Sequence, residues 1–269
     1  RNYEALRLVG DARAAIQDLT AALQRRDLSK RRDRAGALIA EIAAARQIRA
    51  EAIAPQMQAD MRPILPQRLM GELDRRIGPD DIVVADASYS SVWVTGYLTT
   101  RRAGQRFLTP RGLAGLGWGL PFAIGAKLAR PGARVVGLVG DGGFAHVWGE
   151  LEMAVREGVA LTLIVLNNSQ LAMQRHGENL GFGRSTTGIR FVEVDHAAVA
   201  RSVGAQGHRI DDPDAFGPAL EQALASDGVT VLEIISDANA FAPLRIFDGQ
   251  EARLEIPAGP HAAARRQDA

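Results

Sequence analysis

There is no cysteine among the 269 residues. Disulfides, thiolate metal sites and cysteine nucleophiles are therefore excluded. Aromatic residues are few, at 5%, and the formal net charge is only +1. A near-neutral chain gives no reason to expect nucleic acid or an anionic membrane as partner. No apolar run approaches the roughly 20 residues that a membrane helix needs, and no signal-peptide pattern opens the chain. No Gly-x-Gly-x-x-Gly occurs, which argues against a nicotinamide or flavin dinucleotide domain. The chain begins with Arg1 rather than Met, so a fragment or processed piece is expected, with the cytoplasm as its location. What is present, 46% hydrophobic and 23% charged residues, is ordinary for a globular protein. The length supports a sizeable core without disulfides.

Residues 11–26 have helical apolar spacing through Ala14, Ala15, Leu19, Ala22 and Leu23, with Asp11 as the N-cap. Six basic residues crowd the ten from Arg25 to Arg34, read as a solvated linker, with a phosphate-binding patch as the alternative. Residues 35–54 are Ala-rich and suit an interdomain helix. Pro55, Pro63 and Pro66 then punctuate the chain, and a boundary is expected near residue 60. Beyond it, strands at 82–85, 134–139, 160–166 and 229–236, a short extended piece at 106–109 and a strand near 205–210 alternate with helical patterns. Strand–helix alternation with continuously apolar strands predicts an α/β fold, a doubly wound parallel sheet with helices on both faces. A Gly/Ser/Thr-rich segment at 177–190 reads as a mobile loop. Trp118 and Phe122 read as core.

Two polar motifs sit just after buried strands. Gly140-Asp141-Gly142 follows Val135–Val139, and Asn167-Asn168 comes 24 residues later, after Leu161–Leu166. Ligands of such folds bind at the carboxyl ends of the strands, where Asp86, Asp141 and Asn168 are all expected. Glycine allows close backbone approach to an anion. Asp141 repels a phosphate directly, so a cation between them is needed. Mg2+ prefers oxygen ligands and bridges protein carboxylates to phosphates. Asp141, Asn168 Oδ1 and the Gln170 carbonyl form a suitable set. Either motif alone reads as a turn or helix cap; the pair, joined by one helix, points to Mg2+ and a diphosphate.

This spacing resembles the cofactor motif of the thiamine-diphosphate-dependent enzymes, in the acetolactate synthase-like branch. Ala114-Gly115-Leu116-Gly117-Trp118-Gly119-Leu120-Pro121 is similar to that family's Gly-Thr-Met-Gly-Phe-Gly-Leu-Pro segment, and Glu150-Leu151-Glu152-Met153-Ala154 to its Glu-Leu-x-Thr-Ala helix. The resemblance runs from about residue 60 to 245. It implies residues 1–26 as the end of a middle domain, 27–60 as linker and interdomain helix, 61–245 as the diphosphate- and Mg2+-binding domain, and 246–269 as a C-terminal tail. It further implies that Asp141, Asn168 and the Gln170 carbonyl hold Mg2+, and that Gly140, Gly142 and Gly143 approach the diphosphate. Leu116 stands where the family wedges the cofactor into a V. The Ala114 carbonyl accepts from its amino group, and Met173 lies near the pyrimidine or substrate.

Two segments depart from the family. Ser88-Tyr89-Ser90 occupies the place of Gly-Gln-His at the diphosphate, or serves as turn and N-cap. His176-Gly177 occupies the place of a Gln-Trp pair. His146 and His176 are candidate acid–base groups, with surface or satisfied core histidines as the alternative. The activating glutamate of the family belongs to a separate pyrimidine-binding domain, and neither Glu150 nor Glu152 substitutes for it. The implied reaction is decarboxylation of a 2-oxo acid with transfer of the aldehyde unit to an acceptor. A decarboxylase or C–C lyase without acceptor, or a cofactor-binding non-catalytic subunit, stand as alternatives. A pyrimidine-binding domain or subunit is the expected partner, in a homo-oligomer or a split hetero-oligomer.

Overall fold

The computed structural model describes residues 7–243; the expected C-terminal tail lies outside the described residues. Backbone contacts divide the chain at Ala54 and Pro55. In the first unit, α1 (Ala12–Gln24) starts at Asp11, whose carboxylate accepts a hydrogen bond from Ala14 N at 2.9 Å. The helix α2 (Ser29–Met57) follows. Neither helix buries a residue. Among the described residues no helix is long and apolar enough to cross a membrane.

The second unit alternates as expected. Its elements are α3 (Pro66–Arg76), β1 (Ile82–Ala85), α4 (Tyr89–Tyr97), β2 (Arg106–Leu108), α5 (Gly119–Ala129), β3 (Val135–Gly140), α6 (Asp141–Ala145) and α7 (Glu150–Arg156). They continue with β4 (Leu161–Asn167), α8 (Ala172–Phe182), α9 (His196–Ser202), β5 (Gln206–Ile210), α10 (Pro213–Leu224) and β6 (Val229–Ile235). The six strands form one sheet in the order β2-β1-β3-β4-β6-β5. Every pair is parallel.

Strand residues alternate between two cores because successive side chains point to opposite faces. Val136, Leu138, Ile164 and Leu166 join Leu69 and Leu73 of α3, Trp93 of α4 and Phe216 of α10. Val135, Val139, Leu163 and Val165 join Leu120 of α5, Leu151 of α7 and Ala200 of α9. Both faces are thus covered, which is why the inner strands read as largely apolar runs. The fold is the doubly wound α/β sheet that the sequence predicts. Gly137 lacks a side chain for a packing reason: a Cβ there would meet Leu163 Cδ1 at 2.8 Å.

Three local readings differ from expectation. The segment 177–190 is not one loop: α8 continues to Phe182, and a 3₁₀ turn covers Thr187–Ile189. The extension is helped by Gln174 donating to Glu178 four residues on, at 2.9 Å. Residues 141–145, expected as a turn, form the short helix α6 directly off β3. Trp118 is 49% exposed, edge-on to the half-buried Phe122, rather than in the core.

Candidate functional site

The strand order sets the position of the site. β1 and β3 are neighbours, but the chain leaves β1 for β2 on one side and β3 for β4 on the other. Such a switch point opens a crevice at the carboxyl ends of the two strands. A cavity lies there. Ser88, Tyr89 and Ser90 reach it after β1, Gly140 to Gly143 after β3, and Asn168, Gln170 and Met173 after β4. Leu116 enters from the Gly-rich turn before α5. All but one of the residues expected at cofactor or metal therefore share one cavity. The exception is Ala114, which is exposed at the head of the Leu116 turn. A larger hollow of about 820 Å³ opens at the opposite end of β1 and β2, lined by Arg102, Arg106 and Pro131, away from these motifs.

Neither histidine lines the cavity. His146 is exposed at the end of α6. His176 is fully buried, its Nδ1 2.7 Å from Tyr89 Oη. Burial and the neighbouring Arg175 push its pKa down to about 4. A neutral imidazole with no access to the cavity is a packing group, not an acid or base at the reacting atoms.

Asp141 is 4% exposed. Its Oδ1 accepts from Gly142 N at 2.8 Å and its Oδ2 from Asn168 N at 3.1 Å. Asn168 Oδ1 in turn accepts from Gln170 N at 3.3 Å. The three expected metal donors are thus knotted together through the main chain. Burial pushes the Asp141 carboxyl up to about 6, and backbone N–H groups at Gly142, Asn168, Ser169 and Gln170 oppose that rise only in part. No basic side chain enters this balance among the described residues. A buried carboxylate without a counter-charge is costly, and a cation would remove the cost. Asn167, the first of the asparagine pair, plays a different part. Its amide donates to Glu233 Oε1 at 2.6 Å and to the Val194 carbonyl at 3.1 Å.

Two buried acids brace the segments around the cavity. Glu233 on β6 receives Asn167 and also the Ala197 N–H of α9, at 3.0 Å. It ties the end of β4 to the first turn of α9. Asp86 is fully buried and accepts from Gly117 N at 2.9 Å, Trp118 N at 3.1 Å and Ala87 N at 2.8 Å. It thereby holds the Leu116 turn against the end of β1. A polar residue directly after an apolar strand is the available signal for Asp86. Glu233, inside an apolar run, gives no signal of its partners.

Backbone strain concentrates here. The non-glycine residues with positive φ among the described residues are Ser88 (66°), Ala114 (56°) and Ser169 (54°). All three belong to the segments that build the cavity. Ser88, with ψ −146°, sits in a region that only glycine occupies readily. Strain of this kind clusters at ligand sites because the surrounding structure holds it. Ser88→Gly is therefore expected to stabilise the chain by about 1 kcal/mol, the relieved strain exceeding the added chain entropy. A urea melt checks this; a lower midpoint would refute the strain.

Known proteins resemble this chain in sequence and fold. A family model described as thiamine pyrophosphate enzyme, C-terminal TPP binding domain, matches residues 86–234. The putative thiamine pyrophosphate-containing protein YdaP of Bacillus subtilis is 31% identical over 188 residues, 70% of this chain and 32% of that protein. A probable acetolactate synthase large subunit of Methanocaldococcus jannaschii is 28% identical over 245 residues, 88% of this chain and 40% of that protein. Among solved structures, the thiamine diphosphate-dependent 4-hydroxybenzoylformate decarboxylase of Rhodococcus jostii superposes with a TM-score of 0.62 at 26% identity. That superposition covers 66% of this chain and 34% of the decarboxylase. The chain spans about a third to two fifths of the length of such relatives.

Proposed function

Because the chain belongs to the thiamine pyrophosphate enzymes, through their C-terminal cofactor-binding domain, we propose that it holds the diphosphate end of thiamine diphosphate through Mg2+. Asp141, Asn168 Oδ1 and the Gln170 carbonyl would be the protein ligands. Among the described residues no three His, Asp or Glu side chains converge as a metal cluster. One carboxylate, one amide and one carbonyl suit Mg2+, whose shell phosphate oxygens and water complete. The observation that carries the reading is Asp141, a buried carboxylate lacking a counter-charge, bonded through its Oδ2 to Asn168 N.

The surrounding residues fit a diphosphate. No side chain caps α4, which starts at Tyr89 after Ser88. The positive end of the helix dipole favours an anion there. The Gly142 N–H is engaged by Asp141 at 2.8 Å, which leaves Gly143 and α4 as the better main-chain donors. Leu116 would support the cofactor from the turn that Asp86 holds, with the Ala114 carbonyl as acceptor. Met173 lies toward the substrate. When bound, the cofactor supplies the electron sink for breaking or making a C–C bond beside a carbonyl. The reaction we propose is decarboxylation of a 2-oxo acid, with the aldehyde unit transferred to an acceptor, in the cytoplasm. The solved decarboxylase relative favours a second reading, decarboxylation without acceptor. Product analysis with pyruvate separates them.

No glutamate lines the cavity among the described residues. The activating glutamate is assigned to a pyrimidine-binding domain or subunit, so this chain would bind cofactor without turning over. Titration calorimetry tests this: thiamine diphosphate should bind with Mg2+ and fail to bind with excess EDTA. Equal affinity in EDTA would sink the reading, and turnover of pyruvate by the chain alone would sink the split-site proposal.

The pH dependence follows from Asp141. Its folded pKa, about 6, lies above the ordinary 3.8. A raised folded pKa contributes stability below pH 3.8 that is lost as pH climbs through about 6. The metal-free chain should thus lose up to about 3 kcal/mol from this group across that window and none above it. Mg2+ competes with the proton, so its apparent affinity should fall about tenfold per pH unit below the folded pKa. Thermal melts with and without Mg2+ at pH values spanning the window check both; a metal shift that does not vary with pH would contradict the assignment.

A further inference from the structure

A second cavity shares the segment that follows β4. Asn168 and Gln170 line the first cavity, Asn167 and Ser169 line the second, and Asp141 belongs to both. The second has a volume of about 330 Å³, within the range of about 300–1,000 Å³ usual for small-molecule sites. Phe191, Val192 and Val194 give it an apolar wall, and Trp148, His196 and Arg190 bring polar groups to it.

Two of these groups are buried without a partner among the described residues: Trp148 Nε1 and His196 Nδ1. His196 is only 3% exposed. A buried indole N–H ordinarily finds an acceptor, and leaving a buried polar atom alone is costly. The two rings are held side by side, with centroids 5.8 Å apart. Phe144 backs both, at 5.5 Å from His196 and 6.4 Å from Trp148. The other polar side chains of the lining are engaged. The Asn167 amide donates to Glu233 and to the Val194 carbonyl, and its Oδ1 accepts from Ser169 N at 3.1 Å. Asp141 directs its two oxygens to main-chain N–H groups at Gly142 and Asn168. An indole N–H, a neutral imidazole nitrogen and the exposed Arg190 guanidinium therefore face a ligand. The indole and the guanidinium only donate, which selects an acceptor. The charge of Arg190 selects an anionic one. Three rings on one lining, of Trp148, His196 and Phe191, favour a flat aromatic body.

We propose that this cavity is a second small-molecule site and that it takes a small aromatic monocarboxylate, with the carboxylate on Trp148 Nε1 and Arg190 and the ring against Phe191 and Val192. Occupancy requires neither thiamine diphosphate nor Mg2+, so the site stands apart from the diphosphate reading of the first cavity.

The tryptophans report on it. The 269-residue chain has three, Trp93, Trp118 and Trp148, whose indole N–H groups give separate ¹H–¹⁵N peaks. Titration with sodium benzoate, in the absence of cofactor and Mg2+, should move the Trp148 peak saturably. The peak of Trp93, which lines the first cavity, should stay. Benzamide should bind about tenfold more weakly, the worth of one hydrogen bond to a charged group, and acetate, which lacks the ring, should not saturate. In ligand-observed saturation transfer, Trp148→Phe should weaken benzoate about tenfold and the exposed Arg190→Gln about threefold. Arg190→Gln keeps the site testable should Trp148→Phe not fold. An unmoved Trp148 peak, a Trp93 peak that moves in its place, or benzamide or acetate binding as well as benzoate overturns the proposal.

Discussion

Replacing Asp141 with asparagine is expected to abolish the Mg2+ dependence of cofactor binding and, in the same molecule, to raise the stability of the metal-free chain. The first effect follows from losing the sole carboxylate of the proposed donor set. Removing groups that merely orient a metal ligand costs 10- to 100-fold in affinity, so losing the ligand itself should cost on the order of a hundredfold or more. The second effect follows from burial. The carboxyl is raised from 3.8 to about 6, so its charge at neutral pH costs the fold about 3 kcal/mol. Asparagine removes the charge but offers one acceptor oxygen where aspartate offers two, returning about 1 kcal/mol. A net gain of about 2 kcal/mol should remain. Calorimetric titration and a urea melt of the free protein measure the two. Retained Mg2+-dependent affinity, or a less stable apo variant, would contradict the assignment of Asp141 as a metal ligand held ready at a cost.

Gly143→Ala should be the second severe variant. A Cβ on Gly143 would stand 2.1 Å from Asp86 Oδ2 and 3.6 Å from Gly117 N. Asp86 cannot yield cheaply: it is fully buried, and its two oxygens hold the main chain at Ala87, Gly117 and Trp118. Displacing it strands buried N–H groups and frees the turn carrying Leu116. Overpacking and lost buried hydrogen bonds together should cost about 2–4 kcal/mol and most of the cofactor affinity. Gly177→Ala is the internal control. That residue lies within α8, where an added Cβ would meet nothing within 4 Å, and the change should gain up to about 1 kcal/mol from helix propensity. Chemical denaturation of both variants decides the matter. A Gly143→Ala chain as stable as its parent would show that Asp86 does not brace that turn.

The contrast between these glycines shows what is legible in the sequence. The four inner strands are buried and apolar at nearly every position, so they are recognisable, and polar residues directly after β1, β3 and β4 mark the cavity. Local chemistry is enough for Asp11 as a cap and for the Asp141–Asn168 pair. Pairings across long separations are not legible. Nothing near Glu233 tells that Asn167 will reach it, and nothing near Tyr89 points to His176. The sequence pattern ends α8 too early because Gly177 and Gly181 lower its propensity, which tertiary packing of Leu180 against the core overrides. Trp118 shows the converse: a large aromatic beside a core helix that packs on Phe122 and stays half open.

The margins of the sheet bear on how the molecule behaves in a crowd. The outer strands are β2, three residues long and opening on exposed Arg106, and β5, which runs Gln206-Gly207-His208-Arg209 with mostly exposed side chains. Short, polar or charged border strands are poor templates for a seventh strand from another chain. Arg209 is also occupied by Glu193, which ties that border to its own loop. A parallel sheet this apolar inside would be a hazard if its rims were smooth. Self-association, where it occurs, is thereby steered toward the helical layers, and growth by strand addition into fibres is discouraged.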